Sequence, residues 1–255
     1  MGRGGLALIW RSTQQRRMLH VQFESITLKG PARSTQPLWL RIIFAFVAAS
    51  IFMLGSGVVF NLVGRENWNS LWTAGTHGLV ALALIMLLVV QMRSISGIRS
   101  LIGQDVGRSL KLFLPLVLLV YLVCVGLDVG LGFPREDFMV NLFSGLSLPE
   151  RVLCVLMLIC LPPISEELFF RHFFVQVFPL NSQIWKWVAV LVTASMFMLI
   201  HSQYNHWPTL LLMALLGVLL ALARIQTGGL LVPILMHSSA VVIGLSLNWV
   251  VAQWE

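Results

Sequence analysis

The sequence predicts an all-α, polytopic transmembrane helical bundle of about seven spans. Three observations carry that prediction. Of 255 residues, 58% are hydrophobic and 11% charged, against roughly a quarter charged in a soluble domain. The apolar residues gather into runs near the ~20 residues that a spanning helix needs. The basic residues gather into alternate connections between those runs, as in short cytoplasmic loops.

Residues 1–37 come first. They are polar and basic, lack apolar periodicity and contain Glu24 as their sole acid, which predicts a disordered or surface-lying tail. An Arg-rich, acid-poor start also matches a mitochondrial transit peptide; a plain tail with an alternative start at Met18 is the preferred reading. The opening "MGRGGL" lacks the Ser or Thr that myristoylation expects at the sixth position. No secretory signal peptide is expected ahead of the first span.

The seven runs extend approximately over Ile42 to Val63, Leu71 to Val90, Leu112 to Gly132, Glu150 to Phe178, Ile184 to Gln203, Trp207 to Gln226 and Gly229 to Ala252. Arg3, Arg11, Arg16, Arg17, Lys29, Arg33 and Arg41 precede the first, and Arg93, Arg99, Arg108 and Lys111 lie between the second and third. The opposite connections carry only Arg65 with Glu66, and Arg135 with Glu136 and Asp137. This asymmetry predicts a cytoplasmic N-terminus and an outer C-terminus. Read this way, the net charge of +7 is an orientation signal. Lipid bilayer is the expected partner, and nucleic acid is not.

Cys124, Cys154 and Cys160 all fall inside spans without Cys-x-x-Cys spacing, so they are expected as small core residues. No internal repeat, phosphate-binding Gly loop or His-Glu-x-x-His zinc motif is present. The missing repeat argues against a transporter, a third reading of intramembrane acids and histidines.

The fourth span is the unusual one. Its "CLPPISEELFFRHFFV" places Glu166, Glu167 and Arg171 at bilayer depth, where an ionisable group costs several kcal/mol unless paired or facing a polar cavity. Glu167 and Arg171 are four apart with the acid first, the spacing of an intrahelical ion pair. Glu166 points about 100° away and lacks that partner. Pro162 and Pro163 are expected to break the incoming helix, with Ser165 capping a fresh segment that begins at Glu166. Backbone freed in this way has to be buried in protein or face a polar cavity.

The fifth span contributes Phe197 and His201, four apart, and the seventh contributes His237. One glutamate and two histidines on three spans predict a shared site. By helical rise, His237 falls in the inner half of its span and His201 near the outer end of its own, so tilted helices are needed for them to meet. His20, His77, His172 and His206 are read as structural or interfacial.

Taken in order, Glu166-Glu167-x-x-x-Arg171, Phe197-x-x-x-His201 and His237 resemble the motifs of the membrane-embedded glutamic-type proteases. That family, often called Abi or CPBP, includes type II CAAX prenyl endopeptidases and their bacterial relatives. The resemblance covers about residues 150–245, and it divides the chain into the tail 1–37, N-terminal spans 38–149 and a catalytic core 150–255. It implies an intramembrane endopeptidase that cleaves a membrane-associated protein or peptide, in a multi-pass protein of a bacterial plasma membrane. Glu166 would be the general base toward a water that His201 helps hold, with His237 near the oxyanion. Glu167, Arg171 and Phe197 would support them. No cofactor is implied, although two imidazoles and a carboxylate also suit zinc. Two positions depart from the pattern: Val241 stands where the family has Asn, and His172 where Gly is usual. Ser238, Ser239 and Asn205 are the candidates to supply the missing donor. The alternative is a catalytically impaired member acting as a membrane scaffold or an immunity or regulatory protein.

Overall fold

A computed structural model describes residues 36–92 and 99–254. Residues 1–35 of the expected tail 1–37, with its basic residues and His20, and Arg93 lie outside the described residues. All described secondary structure is helical. Its elements are α1 (Leu38–Val63), α2 (Ser70–Met92), the short α3 (Arg99–Ile102), α4 (Val106–Gly130), the short α5 (Asp137–Asn141), α6 (Leu148–Glu167), α7 (Gln183–Ile200), α8 (Trp207–Thr227) and α9 (Leu231–Val251). Seven of these, α6 together with its continuation to Val177, are long and apolar enough to cross a membrane.

Local chemistry sets the ends. Before α6, Ser147 and Glu150 form a reciprocal capping box, with the Ser147 N–H donating to Glu150 Oε2 at 2.8 Å, so orphan donors of the first turn are satisfied. Ser182 accepts from Trp185 N at the start of α7. α4 begins at Val106, six residues before the apolar run at Leu112, and carries Arg108 and Lys111 on its first turns. Helical hydrogen bonding continues past the last lipid-soluble residue because the backbone still needs partners at the interface.

The Pro162 and Pro163 expectation is corrected. Both prolines lie inside α6, which runs unbroken to Glu167, and Ser165 is interior to it. Neighbouring helices make proline tolerable at such depth, and α6 is packed along α2 and α9. The change of pitch comes later, as a π-helical stretch over Leu168–Phe174 followed by a 3₁₀ turn over Val175–Val177.

This segment is the hub of the bundle. α6 packs on α2 and α9, and its π stretch touches α1, α2, α7 and α8. α7 packs on α8, α8 on α4, and α4 on α9, while α1 leans on α2. Phe169, Phe170, Phe173, Leu220 and Met236 anchor the core. Cys124 and Cys154 are buried as expected, whereas Cys160 is exposed on the outside of α6.

Two glycines bind the halves of the chain. Gly228 ends α8 with φ of 70°, the left-handed cap that glycine favours. Gly229 lies against the backbone of Ile102 and Gly103, where a Cβ has no space. Gln104 N donates to Thr227 O at 2.8 Å and Leu230 N to Leu101 O at 2.6 Å across this crossing. The clash of Gly229→Ala is with main chain, so no rotamer change relieves it. We expect a loss of about 1–3 kcal/mol, read as a lowered melting temperature of the purified protein in detergent.

Candidate active site

α6 delivers three charged side chains into the bundle. Arg171 Nε lies 3.3 Å from Glu167 Oε2, and both side chains have no exposed surface. The contact is an ion pair without hydrogen-bond alignment. Arg171 Nη2 also donates to Gly217 O on α8 at 3.2 Å. Its guanidinium lies 4.7 Å from the Phe197 ring centroid and 5.3 Å from that of Phe170, a cation–π sandwich for a desolvated charge.

Glu167 has a second partner. His237 Nδ1 is 2.9 Å from Glu167 Oε1; a carboxylate only accepts, so Nδ1 carries the proton. The opposite nitrogen, Nε2, then lies 4.0 Å from Glu166 Oε2. Glu167 thus orients His237 as well as pairing with Arg171, a role beyond the structural one expected of it.

Glu166 is 5% exposed, and its Oε2 has no hydrogen-bond partner among the described residues. On its other side, Oε1 lies 4.0 Å from His77 Nδ1 on α2. His77 had been expected as structural or interfacial; it lines the same cavity as Glu166 and is corrected to a neighbour of the carboxylate. Its Nδ1 lies 2.8 Å from Ser165 Oγ. The Ser165 hydroxyl donates to Pro162 O, so the imidazole donates to it. The signal for His77 was present in the sequence, as the second span's one ionisable residue.

His201 follows the last residue of α7, with Nδ1 donating to Phe197 O at 2.7 Å. The Phe197 ring meets both imidazoles, at 4.5 Å from His201 and 5.5 Å from His237. The two histidines therefore meet around one side chain, despite their offset along the sequence. Glu166, His77, His201 and His237 all line a cavity of about 550 Å³ that also touches α1, α4, α5 and α8. Tyr204 lines it beside His201, and burial pushes its phenol above the ordinary range. Among the described residues, no three His, Cys, Asp or Glu side chains group closely enough to hold a metal ion.

Val241 lines the cavity one turn beyond His237, while Ser238, Ser239 and Asn205 do not. Ser239 Oγ bonds back to Leu235 O of its own helix. Those three candidates for a replacement donor are thereby corrected. His172 packs away from the cavity, with Nε2 2.7 Å from Gln91 Oε1 and 3.0 Å from Gln176 Nε2, which accounts for a side chain at that position.

The bundle and its buried carboxylate–imidazole centre define an integral, multi-pass membrane protein of the membrane-protease type. Residues 148–251 match the family model described as type II CAAX prenyl endopeptidase Rce1-like. The chain is also 33% identical over 170 residues to an uncharacterized 24.3 kDa protein of Escherichia coli, covering 67% of this chain and 78% of that one. No solved structure matches it. The chain belongs to the Rce1-like type II CAAX prenyl endopeptidase family.

Replacing Arg171 by Met leaves the buried Glu167 with His237 as its remaining partner, a loss of about 3–5 kcal/mol. Adding Glu167→Gln should recover part of it. Detergent melting curves of the two single variants and the double variant measure the coupling.

Proposed function

We propose that the protein is an intramembrane endopeptidase in which Glu166 activates a water against a peptide bond of a membrane-associated protein or peptide. The observation that carries this reading is a buried carboxylate with no hydrogen-bond partner on Oε2 among the described residues, on the wall of a largely apolar cavity, 4.0 Å from an imidazole on either side. That separation is too long for a direct bond and leaves room for a water at ~2.8 Å from each atom.

Glu166 takes a proton from that water as its oxygen adds to the substrate carbonyl carbon. The same proton then passes to the amide nitrogen as the C–N bond breaks, leaving a carboxylic acid and an amine. His201, with Nδ1 committed to Phe197 O, offers the lone pair of Nε2 to hold the water. His237, oriented by the bond from its Nδ1 to Glu167, acts as an imidazolium and donates from Nε2 to the developing oxyanion. Arg171, Glu167 and Phe197 hold these groups. No metal takes part in this scheme.

The substrate lies in or at the bilayer of a bacterial plasma membrane, and nucleic acid has no part. A cytoplasmic N-terminus is supported by the basic residues ahead of α1 and between α2 and α4. A second reading, a non-catalytic scaffold or regulatory protein using the same cavity, is favoured by one observation. Val241 puts an isopropyl group where a donor would face the oxyanion.

Glu166→Gln separates the two. In cells whose only copy carries it, abundance should be unchanged and cleavage should fall by about 10²–10⁴-fold. Quantitative proteomics of membrane-protein termini would then reveal an accumulated precursor. An unchanged set of termini would refute the peptidase. Cleavage in isolated membranes should persist in excess chelator; loss reversed by zinc would assign the metal mechanism instead.

A further inference from the structure

We propose that Glu136, in the connection between α4 and α5, is the positioning residue for His201. The inference rests on the reading of His201 as a water-holding group. His201 stands one residue beyond α7, with φ of −90° and ψ of 36°; its N–H donates to Met198 O at 3.1 Å, so the helix end holds this residue but not the turn that follows it. What fixes the turn from His201 to His206 comes from the opposite connection.

Glu136 is 7% exposed. Its Oε2 accepts from Asn205 N and its Oε1 from His206 N, each at 3.0 Å. His206 is the N-cap of α8, so the carboxylate satisfies donors that a helix start leaves unpaired and sits where the helix dipole favours an anion. The His206 ring reinforces this grip. It stacks on Phe133 at 4.8 Å, and its Nδ1 lies 3.6 Å from Glu136 Oε1 and 3.8 Å from Asp128 Oδ1. Asp128 in turn accepts from Thr209 Oγ1 at 3.0 Å.

The clamp reaches His201 through Tyr204. The Tyr204 ring lies parallel to the imidazole, 4° between planes and 6.3 Å between centroids, and Tyr204 N donates to His201 O at 3.2 Å. On its other side Tyr204 meets Phe138 edge-on at 5.7 Å, and its hydroxyl lies 3.8 Å from Met139 Sδ. Phe138 and Met139 belong to α5, the helix that Glu136 itself precedes. One connection therefore grips the His201 turn twice, through a carboxylate at one end and an aromatic contact at the other.

The test is hydrogen exchange on the full chain in detergent, combined with precursor cleavage in cells. Glu136→Ala should raise exchange at Asn205 and His206 by about tenfold or more while α2 and α6 keep their protection. Cleavage of the precursor that accumulates with Glu166→Gln should fall by about tenfold. Glu136→Gln retains one acceptor oxygen, so it should fall between wild type and Ala in both readouts; a general folding defect would not give that graded rescue. Unchanged exchange in the turn would overturn the clamp. A loosened turn with undiminished cleavage would overturn its role toward His201. If Glu136→Ala does not fold, Glu136→Gln decides by the same two criteria. Glu166→Gln serves as the control, abolishing cleavage without loosening the turn. Normal cleavage by that control would remove the peptidase reading and the catalytic half of this inference together, while exchange still judges the clamp.

Discussion

The ion pair between Glu167 and Arg171 is the interaction on which the remainder of the interior is built. Two opposite charges with no exposed surface are tolerable only when each is further satisfied, and here the extra partners come from three other helices. Arg171 reaches Gly217 O on α8 and lies against Phe197 of α7, and its own carbonyl accepts from Arg224 Nε at 2.8 Å. Glu167 takes His237 of α9. Satisfying one buried pair thus draws α7, α8 and α9 onto α6, and the same contacts set the distance between Glu166 and His237.

The π-helical stretch makes this geometry possible. Leu168 to Phe173 are six consecutive residues, all buried, which requires a helix enclosed on every side. Helices α1, α2, α7 and α8 provide that enclosure. Wider turns of this kind recur at functional sites, and here one directly follows the two glutamates. Glu166 faces the cavity while its neighbour Glu167, one residue along the helix, faces the charge that neutralises it.

Much of the fold was legible because span length and the spacing of Glu167 and Arg171 are local properties. All seven spans appear within about six residues of where hydropathy puts them, and the i, i+4 pair forms as its spacing requires. The prolines misled because their local cost is offset by packing against α2 and α9, which periodicity does not report. His77, the second role of Glu167 and the grip of Glu136 were not legible for a related reason. Each joins groups about 70 or more positions apart, and the packing of the bundle decides which of them meet. His201 and His237 illustrate the point, since counting residues along their spans sets them at different depths while a shared aromatic ring brings them together.

Because the pair lies within one helix, α6 carries its own counter-ion while the chain is still being made. A segment leaving the translocation machinery with Glu167 and Arg171 already matched presents the lipid with less net charge than its composition suggests. Glu166 and His77 gain their shared surroundings as soon as α2 and α6 associate, but His237 arrives only with the last helix. The carboxylate–imidazole centre is therefore complete only once α9 has joined the helices that enclose it.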